Sequence, residues 1–318
     1  MMSFKIIGTG SYVPEHIVTN DDLASIVDTS DEWITQRVGV HERRVSVNET
    51  AADLAYKAAL NALSESGVKP TELDLIIAAS ISGETLCPTV AGFVQSKLGA
   101  TCPAFDINSA CSGFLFALDV AAGFYARGNV KKALIIGAER LSKIIDWKDR
   151  STCVIFGDGA GAVVTDAGDN YLSSKICTKG GSDVIEIPSF SGSSPFYESP
   201  GKSPYIFMQG QETFKFAVNA MTEDVKEVVS KANLSLDDIK YFIPHQANIR
   251  IIQFASKKLG IPIDKFVVNI EKYGNTSAAS VPMALDQINK SGNLNRGDLL
   301  ALSAFGGGLS SAASIIRW

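Results

Sequence analysis

The chain has 318 residues, 46% of them hydrophobic and 20% charged, with a formal net charge of −5. That length fills two domains or one large layered core, the composition excludes a disordered or low-complexity polypeptide, and the acidic balance argues against a general nucleic-acid binder. Five cysteines, at 87, 102, 111, 153 and 177, form no Cys-x-x-Cys pair; reduced thiols in a cytoplasmic protein fit better than a disulfide framework or a zinc site.

The segment "MMSFKIIGTGSYVP" lacks a long apolar leader, and charges such as Asp119 break the later apolar runs, so neither a signal peptide nor a membrane span is expected. Ala51, Leu54, Ala55, Ala58, Ala59 and Ala62 recur at helical spacing and the run closes at Gly67 and Pro70, which predicts an amphipathic helix. "LDLIIAAS" then reads as a strand buried on both faces. In "FDINSACSGF", Cys111 stands between a strand-like run and a helix whose Phe114, Leu118, Ala121 and Tyr125 share one face. "KALIIGA" is a further buried strand. Phe214, Ala217, Val218, Met221, Val225 and Val228 mark a second long helix, followed by "YFIPHQAN" with His245, the strand-like "KFVVNI", "YGNTSAAS" with Asn275, a helix over "SVPMALDQI", and the strand "DLLALSAF".

Parts of this order occur twice. "GVKPTELDLIIAAS" resembles "NLSLDDIKYFIPHQ", "QSKLGATCPAFDIN" resembles "ASKKLGIPIDKFVVN", and "GNVKKALIIGA" resembles "GNLNRGDLLALSA". Three matches in one order at nearly one spacing predict two halves of the same topology, 1–170 and 171–318. The first carries the cysteine and the second the histidine and asparagine. The expected fold class is layered α/β, built twice.

In such folds reactive groups collect beyond the carboxyl ends of the strands. Cys111 precedes a helix N-terminus, which favours thiolate, among residues as small as Ala110, Ser112 and Gly113. It reads as a nucleophile or as a small buried hydrophobe, the role that suits Cys102, Cys153 and Cys177. His245 is a strand-end group that could be catalytic or merely hydrogen-bonded, and Asn275 could be a helix cap. A pseudo-twofold would bring the three together, where a thiolate beside two neutral donors can form an acyl-enzyme and stabilise an enolate.

With "IIGTGSYVPE", "VDTSDEWITQRVGV", "IFGDGAGAVV", "PHQANIRI", "YGNTSAASVPMAL" and "AFGGGLS" added, essentially the whole chain resembles the β-ketoacyl-(acyl carrier protein) synthase III family of thiolase-fold condensing enzymes. The resemblance implies a layered αβαβα core of two βαβαβ-type halves. It implies condensation of an acyl-CoA primer with malonyl-acyl carrier protein, as the initiating step of fatty acid biosynthesis. Cys111 is then the acylated nucleophile, His245 and Asn275 hold the malonyl thioester carbonyl, and the N–H groups of Cys111 and Gly306 form the oxyanion hole. Coenzyme A or pantetheine would meet Trp33, Arg37, Arg150, Asn248 and Arg250. An acidic carrier protein would dock on Lys215, Arg250, Lys257 and Lys258. A homodimer is implied, with no metal and no cofactor beyond the thioester substrates, and no nucleic-acid or membrane partner. Where the family often has a phenylalanine and Thr-Trp-Gly around the acyl pocket, this chain has Cys87 and Ser310, Ser311 and Ala312, which predicts room for primers longer than acetyl. The segment 187–207, rich in Ser and Pro, is expected to cover that pocket.

No cysteine follows Cys177 and only one histidine follows residue 41, which disfavours degradative thiolases and elongating synthases respectively. A specialised-metabolite ketosynthase using a longer or branched primer, or a non-catalytic acyl-binding relative, remain as alternatives.

Overall fold

The computed structural model describes residues 3–188, 194–196 and 203–318. In chain order the elements are β1 (Ser3–Tyr12), β2 (Ile17–Thr19), α1 (Asn20–Ala24), α2 (Asp31–Arg37), β3 (Glu42–Arg44), α3 (Ala51–Ser66), β4 (Leu75–Ala79), α4 (Val90–Leu98), β5 (Ala104–Ile107), α5 (Gly113–Ala126), β6 (Lys132–Glu139), α6 (Arg150–Cys153) and β7 (Gly159–Gly168). There follow β8 (Tyr171–Thr178), β9 (Ile185–Glu186), β10 (Phe207–Met208), α7 (Gly210–Lys231), β11 (Tyr241–Pro244), α8 (Ile249–Leu259), α9 (Ile270–Tyr273), α10 (Ser280–Lys290), β12 (Leu299–Gly306) and β13 (Ser310–Arg317).

Local chemistry sets the helix ends. Thr50 caps α3 by accepting the Asp53 N–H at 3.1 Å while the Asp53 carboxylate accepts the Thr50 N–H at 2.9 Å, a reciprocal cap. The helix stops at Gly67, whose φ of +69° suits a residue without Cβ.

Residues 3–168 build one sheet in the order β1-β7-β6-β4-β5, and residues 171–317 build another in the order β11-β12-β13-β8. In each, one edge is parallel (β5 with β4 and β4 with β6; β11 with β12) and the other antiparallel (β6 with β7 and β7 with β1; β12 with β13 and β13 with β8). Phe266 adds a single parallel bridge to Phe242 on the free side of β11. Counting it, the two sheets repeat one strand order. Both sheets bury an inner face on α5 and α10, in a core that includes Phe4, Ile77, Phe114, Leu118, Leu285 and Leu302. Their outer faces are covered by α3 and α4 on one side and by α7 and α8 on the other. The result is an αβαβα stack.

The strand expected over "KFVVNI" is not a ladder beyond Phe266, and the reason is Gln246. Its buried side-chain amide donates to the carbonyls of Pro244 and Val267 at 2.7 and 3.0 Å and accepts the Asn269 N–H at 3.0 Å. One side chain thus satisfies backbone groups that a neighbouring strand would otherwise pair. Of the cysteines expected to be structural, Cys102 and Cys153 are buried but Cys177 is exposed on β8.

Candidate active site

The nucleophile candidate sits on a strained turn. After β5 the chain passes through a 3-10 turn, Ala110–Ser112, into α5, and Ala110 takes φ +47°, a left-handed conformation that costs a residue with a Cβ about 1–3 kcal/mol. The matching turn of the second half, Ser277–Ala279 ahead of α10, carries Ser277 at φ +49°. By this register the positional twin of Cys111 is Ala278, and that of Asn275 is Asn108. Cys111 and Asn275 therefore occupy corresponding turns at different steps.

Gly306, at the end of β12, lies against Cys111: a Cβ there would stand 2.7 Å from the Cys111 nitrogen and 3.0 Å from its Cβ. Only glycine allows that approach. His245 directly follows β11, almost wholly buried, with Nδ1 2.6 Å from the Ser280 hydroxyl and its ring edge-on to Phe305 at 5.2 Å. The Ser280 oxygen also accepts the Gln246 N–H at 3.4 Å. Asn275 is buried, and its Oδ1 accepts the Ser277 N–H at 2.8 Å, which leaves its NH2 group as the free end. Cys111, His245, Asn275 and Gly306 all line one cavity of about 120 Å³, whose other walls include Ile155, Phe156, Ile206 and Phe305.

These surroundings decide the protonation states. Burial pushes the Cys111 thiol up to about 12 against the pull of the Ser277 hydroxyl, although the residue keeps part of its surface exposed at the cavity. The helix N-terminus was expected to favour thiolate; the apolar walls outweigh it, because removing a charge from water costs more than one helix end returns. Burial also lowers His245 to about 3, so its imidazole is neutral.

The other predicted residues divide. Arg150 stacks its guanidinium on Trp33 at 5.0 Å and donates to the Asp28 carbonyl at 2.7 Å. Asn248 lines the cavity, but its amide is engaged: Oδ1 accepts the Arg250 N–H at 2.9 Å and Nδ2 donates to the Arg37 carbonyl at 3.0 Å. It caps α8 and ties it to α2. Arg250 lies over the Phe214 ring at 5.9 Å. Lys215 pairs with Glu212 at 2.8 Å and Lys258 with Glu223 at 3.4 Å, so of the four basic docking residues two are already committed to carboxylates.

A second cavity, of about 630 Å³, adjoins the first at Ala110, Ile185 and Gly307 and is lined by Ile81, Leu86, Phe116, Ile144 and Ser310. Neither predicted pocket residue lines it within the single chain. Ser311 pairs with Phe305 and Cys177 in the sheet, and the two-residue period of a strand turns it to the face opposite Ser310. Cys87 is exposed on the loop beyond Leu86. Of the expected cover, residues 189–193 and 197–202 lie outside the described residues, while Ile187 and Pro188 line the second cavity and Ile206 the first. Sequence reasoning missed Ser280, Ser277 and the fully buried Glu139. The "SAAS" run gives no periodic or charge signal, and Glu139 reads as the polar end of a strand.

An αβαβα stack with a cysteine, a histidine and an asparagine around one cavity is the arrangement of thiolase-fold condensing enzymes. The 3-oxoacyl-(acyl-carrier-protein) synthase III family matches residues 105–180, and its C-terminal domain family matches residues 229–318. The β-ketoacyl-(acyl-carrier-protein) synthase III of Clostridium acetobutylicum is 51% identical over 100% of this chain and 99% of its own length. The crystal structure of the Aquifex aeolicus synthase III superposes with a TM-score of 0.93 at 46% identity, covering 99% of this chain and 100% of that one. That from Thermus thermophilus gives 0.93 at 39%, covering 99% of each. The chain belongs to the β-ketoacyl-(acyl-carrier-protein) synthase III family.

Proposed function

We propose that this protein is the condensing acyltransferase that starts fatty acid biosynthesis, joining an acyl-CoA primer to malonyl-acyl carrier protein with loss of carbon dioxide. The observation that carries the reading is the shared cavity, which gathers a cysteine sulfur, a neutral imidazole, a carboxamide and a glycine pressed against the cysteine backbone.

In the first half-reaction Cys111 attacks the thioester carbonyl of the acyl-CoA, and the Cys111 and Gly306 N–H groups receive the oxyanion. Coenzyme A leaves. Malonyl-carrier protein then enters, and His245 Nε2–H and the Asn275 NH2 group hold its thioester oxygen while the carboxylate departs. The charge that develops is an enolate, which two neutral donors in an apolar cavity stabilise strongly and which asks for no metal. Its carbon attacks the acyl-Cys111 thioester, and the β-ketoacyl product forms as the sulfur is expelled.

The CoA chain would run past Trp33, Arg37 and Arg150, with Arg150 swinging from the Trp33 face to admit a purine ring. Arg250 and Lys257 are the basic side chains left for an acidic carrier protein. A homodimer fits the exposed Leu86, 87% accessible beside the second cavity, and a partner there would bring Cys87 near an acyl chain. Without that partner, Ser310 is the residue among Cys87, Ser310, Ser311 and Ala312 that lines the second cavity, and the case for longer primers rests on it. No helix among the described residues is long and apolar enough to cross a membrane, and the site of action proposed is the cytoplasm.

Intact-mass measurement after incubation with acetyl-CoA and a series of longer acyl-CoAs tests the reading. One acyl group should add to the wild type and none to Cys111→Ser, and malonyl-carrier protein should discharge it as a β-ketoacyl product. If no acyl donor adds mass, the proposal falls.

A further inference from the structure

A thiol held at about 12 cannot attack until its proton leaves, and His245, lowered to about 3, is a poor acceptor. Close to Cys111 the structure holds two other side-chain oxygens, on Ser277 and Glu139. Ser277 is 1% exposed, and its hydroxyl is within the influence of both the Cys111 thiol and the Glu139 carboxyl. Glu139 ends β6 with no exposed surface.

Neither contact has closed to full hydrogen-bond geometry: Ser277 Oγ and Glu139 Oε1 are both buried without a hydrogen-bond partner. Such orphans cost about 1–3 kcal/mol each and call for an explanation. Ser277 moreover stands at φ +49°, where glycine would be at ease. The other carboxyl oxygen is anchored, accepting the Ser82 hydroxyl at 2.5 Å and the Ile81 N–H at 3.1 Å. Gly137 makes the approach possible, since a Cβ there would meet the Ala278 carbonyl at 2.2 Å.

We propose that Ser277 and Glu139 form a proton relay beside Cys111, which stores the thiol proton while the enzyme is acylated and returns it when condensation expels the sulfur. The inference rests on Cys111 being the acylated nucleophile. In acyl transfer the S–H bond breaks, Ser277 passes the proton to the Glu139 carboxylate, the new S–C bond forms, and the CoA–acyl bond breaks to release CoA thiolate, which water protonates. In condensation the malonyl carboxylate leaves as carbon dioxide, and its bonding electrons become the carbanion that attacks the acyl carbon. The S–C bond then breaks with its electrons on sulfur, and the Glu139 proton returns through Ser277 to restore the thiol. Each half-cycle balances.

The geometry is matched by the acidity. Burial raises Glu139 to about 7, opposed by Ser82, the Ile81 N–H, Ser277 and the Ala278 N–H, so it can both take and give a proton near neutrality. The Cys111 thiol is within electrostatic reach of it, and the neighbouring Arg140 guanidinium turns instead to Glu84 at 3.5 Å.

The test is the pre-steady-state acylation burst, followed by quenched intact mass with acetyl-CoA from pH 5.5 to 9, in the full-length wild type, Glu139→Gln, Glu139→Asp and Ser277→Ala. The expected result is a wild-type rate that rises through about pH 7. Glu139→Gln and Ser277→Ala should acylate about 100-fold more slowly, a typical size for a lost general base, without that inflection, and Glu139→Asp should recover part of both. Circular dichroism confirms that the variants fold. A folded Glu139→Gln that acylates at the wild-type rate with an unchanged pH profile overturns the relay alone; a wild type that no acyl-CoA modifies overturns the function beneath it.

Discussion

The two strand-to-helix turns, Ala110–Ser112 before α5 and Ser277–Ala279 before α10, share one backbone and differ in chemistry. Each is met by the end of the central strand of the other half. Gly306 of β12 abuts Cys111, and Glu139 of β6 stands behind Ser277; these two strand ends occupy equivalent places. The pairs beside them correspond as well. Ala79, ending β4, faces Gly113, where a Cβ would come within 3.0 Å of it, whereas the second half has His245 facing Ser280 through a 2.6 Å hydrogen bond. Where one half closes its joint with small residues, the other opens it to polar ones. A scaffold with two similar joints can thus place a nucleophile on one and its electrostatic partners on the other, at separations that a single strand end does not supply.

The largest expected effect comes from breaking the polar joint. In the mechanism proposed, Asn275 donates only to the enolate, so in Asn275→Ala condensation with malonyl-carrier protein should fall about 10²- to 10³-fold while the acylation burst stays within a few-fold. Separate measurement of the two half-reactions checks this, and an equal loss in both would show that Asn275 shapes the cavity rather than the enolate.

The strand-end comparison predicts a pH-dependent stability. The folded Glu139 pKa lies above its ordinary 4.5, at about 7, so the protonated form is favoured by folding. That contribution is complete below about pH 4.5 and is lost as pH rises through 7. Glu139→Gln, neutral throughout, should therefore gain on the wild type with rising pH, by up to about 3 kcal/mol at pH 8. Urea unfolding at pH 5 and pH 8 measures it; a difference that does not grow with pH would mean that Glu139 is not held in its protonated form.

The smallest effect concerns the shared backbone. Ala110→Gly and Ser277→Gly each relieve a left-handed residue at the expense of a freer unfolded chain, a net gain of about 0.5 kcal/mol. Chemical denaturation should find the Ser277→Gly gain the larger, because that change also removes a buried hydroxyl without a hydrogen-bond partner. Ser277→Gly should also slow acylation, which separates the hydroxyl from the backbone that carries it.

Much of this was legible in the chain itself. The periods of α3 and α7, the buried runs of β4, β6 and β12, and the recurrence of three segments all follow from short-range spacing, so the layered and duplicated plan could be read without coordinates. Cys111, His245 and Asn275 could be marked because each stands at a strand end next to a helix. Their protonation could not, because it depends on which walls enclose them: the apolar cavity overrides the helix end at Cys111 and keeps His245 neutral. The strand misread at "KFVVNI" has a similar origin, since its backbone partner is the side chain of Gln246, more than twenty residues away. Likewise Ser277 and Glu139 acquire meaning only when β6 and the turn before α10 meet. Sequence determined what is periodic and local; tertiary structure decided the solvation and the pairing of buried polar groups, because these depend on contacts between segments far apart in the chain.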